Sequence, residues 1–539
     1  MNQWREEKKR ALLALIFILI LQAGVMCWFG SRKQGYFIDE IYSFGLSNGY
    51  YKPFITSYGD QIFDQWADKT VIDDYMTVQK GERFAYGSVI YNQSQDVHPP
   101  VFYFLLHTVC SFFPGTYSKW FGIGINLVCF LITGIFLWLL GSRLMKSFWL
   151  GLVPVVIWGF SAGAVSYTVY LRMYMAMTLF TVLSGYLHER MEEEGQRWRE
   201  LLLIFLVTVC GLLTQYYFVI FAFYLSAVYF LWKLWKRAFK DAFLYAAVLF
   251  GAVGTAVVLF PACITQLTRD DEIVAQETKK NIGNLDILIT NLKSYGYGIN
   301  SDFLSGIYKA VPVILLLAAG AVAAAFFLGR EKERAAMGKP KGMGGWLFLL
   351  SCPAAVLTIA SVAVVPSPRY ICSLYPLLVL GGIWLLWRMT KAFLPAMRTA
   401  MALVSVLFLC LSLSSYRHGF VQYLYRDEPA RLEEANKYGN LPCLYVTNYR
   451  MAALTQDLRT LSCYREFYVT SREGLANVDQ ILEGKDVSRG ILVTVDNNSF
   501  WGSGYDAEEV VREICEKTGL LVVKCVFAQE LSVTYLLEG

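Results

Sequence analysis

Charge is scarce in this sequence: only 17% of its 539 residues are Asp, Glu, Lys or Arg, against 56% hydrophobic and 16% aromatic. A water-soluble fold of this size would struggle to cover itself in polar surface with so few charges, so lipid is the expected solvent. No Gly-Lys-Ser/Thr phosphate loop, fixed-period repeat or low-complexity tract occurs, which argues against an ATP-driven pump. The 12 cysteines include no CxxC pair and no Cys/His cluster, so cysteine-bound zinc is not expected. Most of them lie in apolar runs, where a thiol behaves as a small hydrophobe. Cys443, Cys463, Cys515 and Cys525 fall near the C-terminus, where their spacing defines no pairing. There is no nucleic-acid signature either.

What is present is apolar sequence gathered into blocks of roughly 17–25 residues, the length that crosses about 30 Å of hydrocarbon as a helix. The first block, ALLALIFILILQAGVMCWFG, exceeds a signal-peptide core and has no A-x-A site, so it reads as a retained first helix. Further spans are predicted at 119–140, 148–168, 172–188, 200–216, 217–232, 241–260, 307–328, 345–364, 370–387 and 398–415, for about eleven in all. With Arg5, Lys8, Lys9 and Arg10 inside, alternation places every Lys/Arg-rich short loop on the cytoplasmic side, provided the short stretch at 101–113 does not cross. The N-terminus is then cytoplasmic. Loops 31–97 and 261–305, the link PSPRY and the tail face outward.

From Tyr416 onward the composition changes, with 13 Lys and Arg against 18 Asp and Glu. Strand-like runs CLYVT, GILVTV and GLLVVKCVF alternate with helical stretches such as AEEVVREICEKTG, the pattern of a small α/β domain. The expected fold is therefore an all-α polytopic membrane protein over 1–415 with an extracytoplasmic α/β domain over 416–539.

Several outward positions carry residues suited to chemistry. Asp39 and Glu40 follow the first helix and read either as a base with its helper or as a solvated helix cap. Asp96 and His98 precede Pro99 and Pro100, which stiffen the chain as it returns to the membrane. Arg172 and Arg369 lie at outward helix ends, where a guanidinium either grips a phosphate or snorkels to headgroups. Gln215, Tyr216 and Tyr217 mark another outward junction, and the long loop 261–305 reads as a lid or a surface ornament.

The order of these elements, DE after the first helix, HPP, LRMYMAMTLF, LLTQYYF and PSPRYICSLYPLLVL, resembles the GT-C glycosyltransferases of the protein O-mannosyltransferase and aminoarabinose-transferase superfamily. The similarity spans approximately residues 10–415. It implies a hexosyl- or pentosyltransferase moving a sugar, with inversion, from a polyprenyl-phosphate donor to an envelope polymer, lipid or surface-protein acceptor. On this resemblance Asp39 with Glu40 is catalytic, Arg172 and Arg369 bind the donor phosphate, and His98, Tyr217 and Tyr370 bind substrate. Some relatives use a divalent metal, for which Asp39, Glu40 and His98 can offer ligands, although no spacing here requires one. Gln215 stands where relatives often carry His. A lipid-linked-sugar carrier or flippase without transfer chemistry is the alternative, though no paired repeats support it.

Overall fold

The computed structural model describes residues 2–56, 62–268, 278–307, 343–390, 397–448, 451–497 and 505–539. Two compact units emerge, and they are not the consecutive segments 1–415 and 416–539. One comprises 1–31, 97–102 and 122–422; the other gathers 32–96, 103–121 and 423–539.

The first unit is helical. Among the described residues, four helices have both the length and the apolarity to cross a membrane: Trp4–Arg32, Lys119–Met145, Tyr217–Trp235 and Phe239–Leu259. Tyr174–Glu194, Trp198–Leu212, Trp346–Val362, Tyr375–Thr390 and Met397–Arg417 lie where spans are predicted, and nearly all of the span predicted at 307–328 is outside the described residues. The predicted span at 148–168 is not one straight rod. It is the pair Leu152–Gly159 and Ala162–Val169, bent by 65°. The bend has a local cause: the Ser161 hydroxyl accepts from Ala164 N at 3.1 Å, capping a new helix where the old one stops. The 101–113 stretch forms the helix Val101–Phe112, whose rise of about 18 Å is too short for a crossing.

The second unit is built on a six-stranded mixed sheet in the order β1-β3-β2-β4-β6-β5. Its strands are β1 Trp66–Ala67, β2 Pro442–Val446, β3 Glu466–Thr470, β4 Ile491–Asp496, β5 Leu521–Ala528 and β6 Ser532–Glu538. β3, β2 and β4 run parallel, while β1, β6 and β5 pair antiparallel. β2 and β4 are buried throughout, as mainly apolar strands at the centre of a sheet should be. Leu444, Val446, Val493, Val495, Ile514 and Leu537 form the core beneath them. The helix Ala507–Thr518 starts at Asp506, whose carboxylate accepts from Glu508 N and Glu509 N, and ends at Gly519 with φ +72°. β1 comes from the first loop, pairing Trp66 with Tyr468 and Ala67 with Phe467. The first loop and the tail are thus one sheet.

Candidate active site

In the helical unit, the chain leaves the helix Ala162–Val169 at Tyr170 and re-enters helix at Tyr174, so Arg172 lies in a short non-helical link. A break in buried backbone frees carbonyls that must be satisfied. Asn126, buried in the Lys119–Met145 helix, donates to Tyr170 O at 2.6 Å and Thr168 O at 3.3 Å. The Arg172 amide returns to Tyr170 O at 2.7 Å, and its side chain is only 2% exposed. Nη2 of Arg172 stands 3.0 Å from Nε2 of His98. A guanidinium can only donate, so His98 accepts there and carries its proton on Nδ1.

Arg369 arrives from a different part of the chain, on the single 3₁₀ turn Pro368–Tyr370. Its Nη1 donates to the Tyr170 hydroxyl at 2.9 Å, and its guanidinium sits 5.4 Å from the Tyr370 ring centroid. Tyr370 in turn packs on Tyr217 at 4.6 Å, and Tyr170 stacks on Tyr174 at 5.8 Å. Tyr170 therefore connects the two arginine segments, through its backbone to Arg172 and through its hydroxyl to Arg369. His98 meets Arg172, and Tyr170 and Tyr370 meet Arg369, so these contacts orient the two guanidiniums. Such a pair suits a phosphate, to which arginine offers a planar fork of donors.

Five residues expected at the site, His98, Arg172, Tyr217, Arg369 and Tyr370, thus belong to one cluster. Gln215 turns inward: its Oε1 accepts from Tyr216 N at 2.7 Å. The stretch expected as a lid or ornament contains instead a 20-residue helix, Leu285–Leu304, that packs within this unit, while 269–277 lies outside the described residues. Tyr295 on that helix is buried close to Tyr217 and Tyr370. Tyr170, Tyr295 and Asn126 had no place in the expected site. Asn126, a lone amide inside an apolar block, is the one that its sequence context could have flagged.

The carboxylates lie in the second unit, and Glu40 departs from its expected role. Both Glu40 and Lys33 are fully buried, with Oε2 of Glu40 accepting from Lys33 Nζ at 2.9 Å and from Phe37 N at 2.6 Å. Lys33 also donates to Tyr423 O at 2.6 Å and lies 5.5 Å from the rings of Tyr36 and Tyr425. Burial pulls the Lys33 ammonium below the usual lysine range against the opposing pull of Glu40. Glu40 is thus a buried helix cap and ion-pair partner that fixes the start of the helix Ile38–Asn48.

Asp39 is next to it in the first turn and half-buried. Tyr42, one turn on, lies near Thr455 of the tail and feels the charges of both Asp96 and Asp39; burial pushes its phenol up to about 12. Asp96, from the segment preceding the two prolines, thereby joins Asp39 around a phenol that stays protonated at neutral pH. Among the described residues, no group of three or more His, Cys, Asp or Glu is arranged to hold a metal ion. His98 and Glu40, two of the three expected ligands, are engaged with Arg172 and Lys33.

No curated protein sequence matches the chain. The family pattern of dolichyl-phosphate-mannose-protein mannosyltransferase matches residues 97–260, which include His98, Arg172 and Tyr217. Among solved structures, ArnT from Cupriavidus metallidurans bound to undecaprenyl phosphate superposes with a TM-score of 0.52 at 11% identity, covering 97% of each chain. The apo state of the same protein gives 0.53 at 12% identity over 98% of each chain. The apolar spans make the chain an integral membrane protein, similar over residues 97–260 to the mannosyltransferase family and sharing along its length the fold of ArnT.

Proposed function

We propose that the protein transfers a sugar from a polyprenyl-phosphate donor to a cell-envelope acceptor on the membrane face opposite its N-terminus. The observation that carries this reading is the convergence of Arg172, His98, Tyr170, Arg369, Tyr370 and Tyr217 in one cluster of the helical unit. A polyprenyl-phosphate sugar is a phosphodiester with one negative charge, and its departing phosphate is a monoester approaching two. Cations that hold the phosphate gain most as the glycosidic bond breaks, which is where stabilisation accelerates reaction.

In this reading the acceptor oxygen attacks the anomeric carbon from the face opposite the phosphate, the C–O bond to phosphate breaks, and its electron pair leaves on the polyprenyl phosphate. Attack from that face inverts the anomeric carbon, and the acceptor proton passes to the Asp39 carboxylate. Glu40 with Lys33 holds the helix that bears Asp39. The undecaprenyl phosphate bound to ArnT supports a lipid phosphate of this class.

Purified protein in lipid, supplied with a panel of polyprenyl-phosphate sugars and crude envelope acceptor, is expected to release polyprenyl phosphate. Folded Asp39→Asn is expected to be slower by about 10²–10⁴-fold, the usual worth of a general base. Donors that stay intact while still binding would replace the transferase reading with that of a carrier.

A further inference from the structure

One stripe of the Leu285–Leu304 helix touches every segment that carries the arginines. Asn291 donates to Ala360 O and Ala363 O, both at 2.9 Å, at the C-terminal end of the Trp346–Val362 helix. One turn later Tyr295 lies by Tyr370, and Gly298 meets Pro368 so closely that a Cβ there would come within 2.3 Å of the proline ring. Asp302 ends the stripe. Its carboxyl faces the hydroxyls of Tyr375 and Tyr167. Gly163 leaves the room it needs, since a Cβ at 163 would fall 2.9 Å from Asp302.

Tyr167 precedes Tyr170 and Arg172 on one segment, and Tyr375 follows Arg369 and Tyr370 on the other. Asp302 is 1% exposed, and its Oδ2 has no hydrogen-bond partner. A buried carboxyl left partly unsatisfied costs stability, and the packing around it tolerates that cost in a unit with few charges. We propose that Asp302 is a positioning residue for the donor phosphate, joining the Tyr167 and Tyr375 segments so that Arg172 and Arg369 address one ligand. This rests on the donor reading above, but nothing in that reading assigns Asp302 a part.

The Leu285–Leu304 helix is not among the candidate spans. Burial raises the Asp302 carboxyl to about 7, so the neutral acid is well populated under ordinary conditions and an amide is a close substitute for it. The test compares Asp302→Ala with Asp302→Asn in the full-length protein, reading affinity for undecaprenyl phosphate, KM and kcat for the donor, and hydrogen exchange over 366–375. Asp302→Ala is expected to weaken undecaprenyl phosphate binding and raise donor KM by about tenfold with a smaller change in kcat, and to speed exchange in the 366–375 link. Asp302→Asn is expected to restore all three to within about threefold of wild type. Unchanged affinity in Asp302→Ala, or an Asn variant as impaired as the Ala variant, overturns the assignment. Wild-type protein that binds no undecaprenyl phosphate, with the 366–375 link protected as before, instead overturns the donor reading beneath it.

Discussion

Lys33 and Glu40 carry opposite charges with no exposure to water, and such a pair is tolerated only while both partners are present. Lys33→Met takes away the ammonium that Glu40 meets in the interior, so it is expected to lower unfolding free energy by about 3–5 kcal/mol. Lys33→Met combined with Glu40→Leu should recover much of that loss, since both charges are then gone. Thermal unfolding of the three proteins in detergent checks it; additive losses would mean the two residues act separately. At the arginine cluster, Arg172→Lys keeps the charge but loses the fork that meets His98 and a phosphate. Donor affinity measured with undecaprenyl phosphate should fall about tenfold, whereas Tyr170→Phe, which removes one neutral partner of Arg369, should cost about 1 kcal/mol.

At the scale of elements, the break between Leu152–Gly159 and Ala162–Val169 turns on Ser161, and the break before Tyr174 turns on Asn126. Ser161→Ala loses a cap worth about 0.5–2 kcal/mol. Asn126→Leu removes the amide that donates to the Tyr170 and Thr168 carbonyls and should cost about 1–3 kcal/mol while also weakening donor binding, because Arg172 hangs from that link. The short helix Val101–Phe112 is tied to Ile38–Asn48 by His107, whose Nδ1 lies 2.7 Å from Ser47 O. Burial holds this imidazole below its ordinary value of 6.5, with Nε2 buried and without a hydrogen-bond partner. The unfolded chain therefore binds the proton more readily, so the stability His107 supplies is present above about pH 6.5 and is lost as pH falls through the lower folded value. Thermal midpoints measured from pH 7.5 to 5 should fall in wild type and fall less steeply in His107→Gln.

At the scale of the whole molecule, the second unit is discontinuous. Glu428 accepts from Tyr36 N at 3.0 Å and pairs with Arg459, Gln34 N donates to Leu424 O at 2.8 Å, and β1 joins β3. Deleting residues 423–539 would strip five of six strands and leave the Asp39 helix without these anchors. The truncated chain should therefore lose transfer activity, and residues 423–539 expressed alone should aggregate or remain protease-sensitive. Co-expression of residues 1–422 with 423–539 is expected to restore protease resistance; a stable, folded 423–539 fragment would contradict this.

The sequence alone determined whatever depends on local composition and spacing. Apolar block length put helices at most of the predicted spans within a few residues, and strand-like runs located β2, β4 and β5 with the helix Ala507–Thr518 before β5. His98, Arg172, Tyr217, Arg369 and Tyr370 were named through short motifs and the resemblance they carry, and the fold brings these five side chains into one cluster. Only the tertiary structure decided what depends on pairing across the chain. Glu40 proved to be bound to Lys33, β1 joined a sheet begun nearly 400 residues later, and Asp302 met Tyr167 and Tyr375 from a stretch expected to be a loop. The physical reason is that hydropathy is a property of a segment, whereas the partner of a buried charge is set by what the rest of the chain brings against it.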